Sequence, residues 1–273
     1  MGTETYSGPL GDIRGIGTSG GTALTTSSQV IGFPEGLGWL SLTPRNFETA
    51  VVARVLKSPY LIIAKTTDAL ALAANTTDYS SAAQDADAAT DVVLSSLDTA
   101  ANLDFLYVGS WEQFRGVDVD VDAPNGTASV LTVKYWNGSA WADISDTDGT
   151  ISSGKTMAVD GQVTWAVPTD WATTTLTDAN SLTTRGVAPQ DVKDIYWTRW
   201  EVSAALDSAT TLNHMIALNR STAYAELAEG QSAEMILEGT PPRGYSGIEV
   251  LTNAGTGNLL VNGATVGKNK RFV

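Results

Sequence analysis

The chain has 273 residues, no cysteine and a formal net charge of −14, which excludes disulfides, thiolate nucleophiles and cysteine-based zinc sites. Binding to a phosphate backbone needs clustered Lys and Arg, so an acidic excess of this size makes DNA and RNA unexpected partners. No run approaches the roughly 18 apolar residues that span a bilayer, and MGTETYSGPLGDIRG lacks the basic region and apolar core of a secretory leader, so no membrane partner is expected.

The charge is unevenly placed. Residues 1–65 hold four acids and five bases, residues 219–273 five of each, and residues 66–218 twenty-one acids against six bases. Neutral ends around an acidic centre imply two surfaces with different neighbours. The ends suit packing on protein, while the centre stays in solvent and repels polyanions.

Residues 1–28 are rich in Gly, Thr and Ser and poor in large apolar side chains. They predict an extended N-terminal arm, held either by a neighbouring subunit or across its own domain. From Gln29 the pattern is β. QVIGFPEGLGWLSLTP gives two short strands about a Pro-Glu-Gly turn, and ETAVVARVLKS and PYLIIAK give two β-branched strands split at Ser58-Pro59. Residues 29–74 and 219–273 are expected to form one discontinuous β base domain, with AEMILEGT, GIEVLTN and GNLLVNG as its later strands. Residues 75–104 contain no Lys or Arg and predict an acidic linker or surface excursion carrying one short strand, DVVLSSL.

Residues 105–218 predict an antiparallel β-sandwich of jelly-roll type, inserted into that base. Along VDVDVD, Val117, Val119 and Val121 face one way and Asp118, Asp120 and Asp122 the other. ASVLTVKYWNGSAWADI predicts a hairpin turning at Asn137-Gly138, and GQVTWAVPTDW, DIYWTRWEVSA and TLNHMIAL supply further strands. The expected fold class is therefore all-β: a sandwich within a smaller discontinuous β domain, preceded by an arm.

No motif here singles out catalytic residues. The Asp118/Asp120/Asp122 row suits the wet face of a strand better than a cation site, which needs more oxygens from loops. DISDTDG fails as a calcium loop because Ile144 occupies the first ligand position and the downstream Glu is missing. GTISSGKT at 149–156 satisfies the written phosphate-loop pattern, but no helix pattern follows it and the surroundings are acidic. His214, the single histidine, has no nucleophile elbow to serve. No pair of carboxylates stands out for glycoside hydrolysis. The N-x-[ST] triplets at Asn75, Asn125, Asn137 and Asn219 read as turns. No enzyme, metal or cofactor is expected.

Seven of the eight Trp fall within 105–218. Most are expected to fill a core or an interface, because alternate strand positions point inward. In YWTRW, Trp197 cannot share a face with Tyr196 and Trp200, so an aromatic must also lie outward. Trp136, Trp141 and Trp197 are the candidates for stacking on a glycan. Arg14, Arg45, Arg54, Lys57, Arg243, Lys268, Lys270 and Arg271, all in the neutral ends, are the candidates for charged interface contacts.

The succession YWNG-x-x-W, a GQVTW strand, P-x-DW and a YW-x-R strand, over roughly residues 105–205, resembles a sandwich module of tailed-bacteriophage virion proteins. That resemblance implies a virion protein made in the host bacterial cytoplasm. Its partners would be the major capsid protein or neighbouring subunits, with a homo-oligomer, a trimer for instance, as the assembled form. The expectation is a non-enzymatic, capsid-associated decoration or cement subunit. The rival is a glycan- or receptor-binding module of a tail or fibre, for which an exposed, coplanar aromatic pair would be the sign.

Overall fold

A computed structural model describes residues 14–16, 21–32, 37–67, 76–85, 91–95, 97–182, 191–220, 225–236 and 244–265. In chain order the first strands are β1 (Arg14–Ile16), β2 (Thr22–Leu24), β3 (Gln29–Gly32), β4 (Leu37–Arg45) and β5 (Val52–Pro59). Next come β6 (Ile62–Thr66), β7 (Thr76–Asp78), the short helix α1 (Ala82–Asp85), β8 (Val92–Val93), β9 (Leu106–Ser110) and β10 (Phe114–Ala123). They are followed by β11 (Leu131–Trp136), β12 (Trp141–Asp143), β13 (Thr147–Asp148), β14 (Gly161–Thr164), β15 (Thr173–Thr174) and the one-turn helix α2 (Leu176–Ala179). The last are β16 (Ile195–Val202), β17 (Thr211–Asn219), β18 (Ala225–Ala228), β19 (Ala233–Ile236), β20 (Tyr245–Thr252) and β21 (Gly257–Thr265). The protein is all-β, and the registered strand pairs are antiparallel.

The chain divides into two units: Met1–Lys57, Thr222–Thr240 and Gly247–Val273 form unit one, and Ser58–Ser221 with Pro241–Ser246 form unit two. Unit one holds two sheets, ordered β1-β21-β4-β19 with β2 also on β21, and β18-β5-β20-β3. Period-two burial builds its core. Leu40 and Leu42 of β4, Ala53 and Val55 of β5, and Leu259 and Val261 of β21 point inward, while Arg54 between two of them is exposed. Two described pieces of the segment expected to be an arm are strands on β21. Arg14–Ile16 pair with Val261–Gly263, and Thr22–Leu24 with Gly257–Leu259. Residues 1–13 and 17–20 lie outside the described residues.

Unit two is a sandwich. One sheet runs β12-β11-β16-β9-β6-β7 with β15 on β16, and the other runs β13-β14-β10-β17-β8. Ile63, Val108, Val133 and Trp200 of the first sheet, with Leu61 just before β6, meet Val117, Val119, Val163, Leu212 and Met215 of the second in one core. The boundaries differ from those read in the sequence. β6 pairs with β9 (Ile63 opposite Val108), so Ser58–Thr67 belong to unit two rather than to the base. The described part of 75–104 is not a linker. β7 extends the first sheet, β8 extends the second, and Ala83, Val92, Leu94 and Leu97 are buried in the core. A sheet edge needs only a few small apolar side chains to close, so an acid-rich, alanine-rich stretch suffices.

Lys65 is also drawn into this edge. It is 4% exposed, and its Nζ donates to the Val93 carbonyl at 2.8 Å. Burial pulls its pKa down, against the opposing pull of the Asp104 charge.

Candidate functional site

Each face of unit two carries one of the features singled out in the sequence. On β10, Asp118, Asp120 and Asp122 lie on the face opposite the buried valines, and each has a polar neighbour. Gln162 donates to Asp118 (2.9 Å), Asn213 to Asp120 (3.0 Å) and Thr211 to Asp122 (2.9 Å). His214 sits opposite Asp120 in the register, with Nδ1 3.4 Å from its carboxylate. Burial pushes the Asp118 pKa up, and the nearby Asp120 and Asp160 charges add to it, while Gln162 and His214 oppose. Among the described residues, no group of three or more His, Asp and Glu is placed to hold a metal ion.

The Asp-rich turn and the phosphate-loop lookalike form one connected piece. Asp143 accepts from Ser145 N (2.7 Å) and Asp146 from Val133 N (2.8 Å). Asp148 accepts from both N and Oγ1 of Thr150 and from Thr156 Oγ1. Asp146 and Asp148 thereby satisfy polar groups of the buried residues Val133, Thr150 and Thr156. Thr156, the hydroxyl that a phosphate loop would offer to a metal, is fully buried against Asp148. The segment continues to β14 with no helix after it, so no amide cradle forms. Asn125 fixes the neighbouring loop: its Nδ2 donates to the Thr127 and Thr156 carbonyls, and its Oδ1 accepts from Thr127 N and Asp207 N.

The outward face of the other sheet is aromatic. Its centre is covered: Phe105, Tyr107, Ile195 and Trp197 pack with Leu176 of α2 and with Leu182 and Val192 into a second, smaller core. Trp197 does point away from Trp200, but it is 0% exposed, and its indole N–H donates to the Thr174 carbonyl at 3.2 Å. It presents no ring face and is no stacking residue; the segment that covers it lies about twenty residues upstream, where alternation along β16 gives no sign of it. Gly109, opposite Trp197 on β9, is required there, because a Cβ would fall 2.5 Å from the indole ring.

Toward the β12 edge this face opens. Trp136 and Trp141 are a direct cross-strand pair with ring centroids 5.7 Å apart at 66°, edge to face rather than coplanar. Arg199 lies between the rings of Phe105 (4.5 Å) and Trp141 (5.1 Å). It is bound to Glu201 through Nη2 (2.6 Å), and Lys134 Nζ donates to the other Glu201 oxygen at 2.9 Å. Lys134 stands opposite Asp143 in the register, two residues before Trp136 and on its face. The hairpin that makes the edge turns on Asn137, whose Oδ1 accepts from Ser139 N and Ala140 N, and on Gly138 at φ +94°.

Of the interface candidates in unit one, Arg45 is exposed at the end of β4 and makes no ion pair among the described residues. Arg54 is paired across β5 and β18 with Glu226 at 2.9 Å. Lys57 is half-buried near the end of β5. Arg14 lies on β1, and Arg243, Lys268, Lys270 and Arg271 lie outside the described residues. No family model, curated protein or solved structure matches this chain.

Proposed function

We propose that the chain is a non-enzymatic structural subunit of a tailed-bacteriophage virion, a capsid-associated decoration or cement protein that works as an oligomer on the shell. The observation that carries this reading is that charge follows the division into units. Unit one holds nine acids and seven bases, for −2, and unit two holds twenty-one acids and nine bases, for −12. A near-neutral unit docks on protein without strong repulsion, whereas a unit this acidic stays hydrated and repels its own copies. The likeness of residues 105–205 to virion sandwich modules supports the same setting. The mechanism is mass action: contacts made only in the assembled state stabilise the shell in proportion to occupancy. Arg45 is the described cation best placed to meet an acidic group on the shell.

The test is the heat resistance of empty shells of the encoding phage, with and without added protein. Shells carrying it should disassemble at a higher temperature, and Arg45→Glu should weaken the effect and steepen its salt dependence. Shells that disassemble identically with and without saturating protein would refute the proposal.

A further inference from the structure

We infer that the β11–β12 edge of unit two is a carbohydrate-binding site in which Trp136 is the stacking platform for a gluco-configured pyranose ring. Of the seven Trp in this unit, Trp165, Trp171 and Trp200 belong to the sandwich core, Trp197 to the outer core, and Trp111 and Trp141 pack against that outer core. Trp136 joins none of them. Among the described residues its one aromatic neighbour is Trp141, which meets it edge to face, and its indole N–H makes no hydrogen bond there. The indole N–H of Trp141 beside it is likewise without a partner among the described residues, whereas those of Trp111, Trp165, Trp171, Trp197 and Trp200 all donate within the protein. A half-buried tryptophan that serves no core and leaves its donor open at a strand edge is what a ring ligand requires.

The surrounding groups select the class of ligand. Trp141, held between Tyr107 and Arg199, forms a fixed wall at an angle to the platform. Lys134 has N–H donors beyond the one given to Glu201. Asp143 opposite it is exposed. A donor, an acceptor and an indole N–H around an apolar ring face match a sugar, whose hydroxyls both donate and accept and whose axial C–H groups form an apolar face. The base of a nucleotide would stack as well, but the attached phosphate would meet a unit of net charge −12.

The experiment is titration of the full chain with cellotetraose and with chitotetraose, followed by tryptophan fluorescence and calorimetry. Either sugar should bind saturably. Trp136→Ala should weaken binding about tenfold or more, while Trp136→Tyr keeps it within about threefold, because a smaller aromatic face remains. Far-UV circular dichroism of both variants checks that the hairpin still folds. Failure of both sugars to bind at about 10 mM, or equal binding by folded Trp136→Ala, would overturn the inference. Shell docking through unit one is read separately, so either result stands without the other.

Discussion

Gly109→Ala should be among the most damaging single-methyl additions to unit two. Gly109 of β9 faces Trp197 of β16, and an alanine Cβ there would lie 2.5, 2.7 and 2.8 Å from three ring carbons. Carbon atoms settle at about 3.5–4.0 Å, so the indole would have to retreat by about 1 Å. It has nowhere to go. Trp197 is 0% exposed, packs with Tyr107, Leu176 and Ile195, and is held by its bond to Thr174. Overpacking of this kind costs about 2–3 kcal/mol, read as a lower urea midpoint for unit two by far-UV circular dichroism. Trp197→Leu alone removes the ring and costs about 3–4 kcal/mol. In the double variant the new methyl occupies vacated space, so the combined cost should fall at least about 1 kcal/mol short of the sum. A Gly109→Ala protein as stable as the parent, or a strictly additive double variant, would refute the packing described for this face.

Asn125→Ala should cost about 2–4 kcal/mol, because four hydrogen bonds to the 124–157 and 207 loops disappear at a buried side chain. Asn125→Asp should be no milder, since its second oxygen would face the Thr127 and Thr156 carbonyls; equal stability of either variant with the parent would contradict this network. Burial raises the Asp118 pKa above its unfolded value, so the folded state binds the proton more tightly than the unfolded state does. The stability this contributes is full below the unfolded pKa and is lost as pH rises through the folded one. Asp118→Asn should therefore flatten the pH dependence of the urea midpoint across that acidic window and be at least as stable as the parent at neutral pH. An unchanged pH profile would show that Asp118 is not desolvated.

What was legible in the sequence was what repeats at period two or turns on a special residue. The valines and aspartates of β10 face as the alternation requires, and the Asn137-Gly138 hairpin pairs Trp136 with Trp141. What stayed hidden depends on segments distant in the chain. Nothing local to IIAKT tells that it pairs with LYVGS some forty residues on rather than with the base strands. The acids of 75–104 masked the few apolar residues that close the sandwich edge. Alternation puts Trp197 on the side of β16 away from Trp200, where it lies, but its cover comes from Leu176 and Leu182, which carry no signal of where they pack. The proposed stacking site is partly readable for the opposite reason. Trp136 and Trp141 flank one tight turn, so local spacing alone sets them side by side, whereas the Lys134–Glu201–Arg199 network beside them needs β16 in place.

The proposed role as a shell-bound subunit is decided by sedimenting the purified protein with empty shells of the tailed phage proposed to encode it. Co-sedimentation should be saturable at a fixed number of copies per shell, weakened by Arg45→Glu and unaffected by Trp136→Ala. A folded protein that remains in the supernatant at every concentration, with shells present in excess, would contradict it.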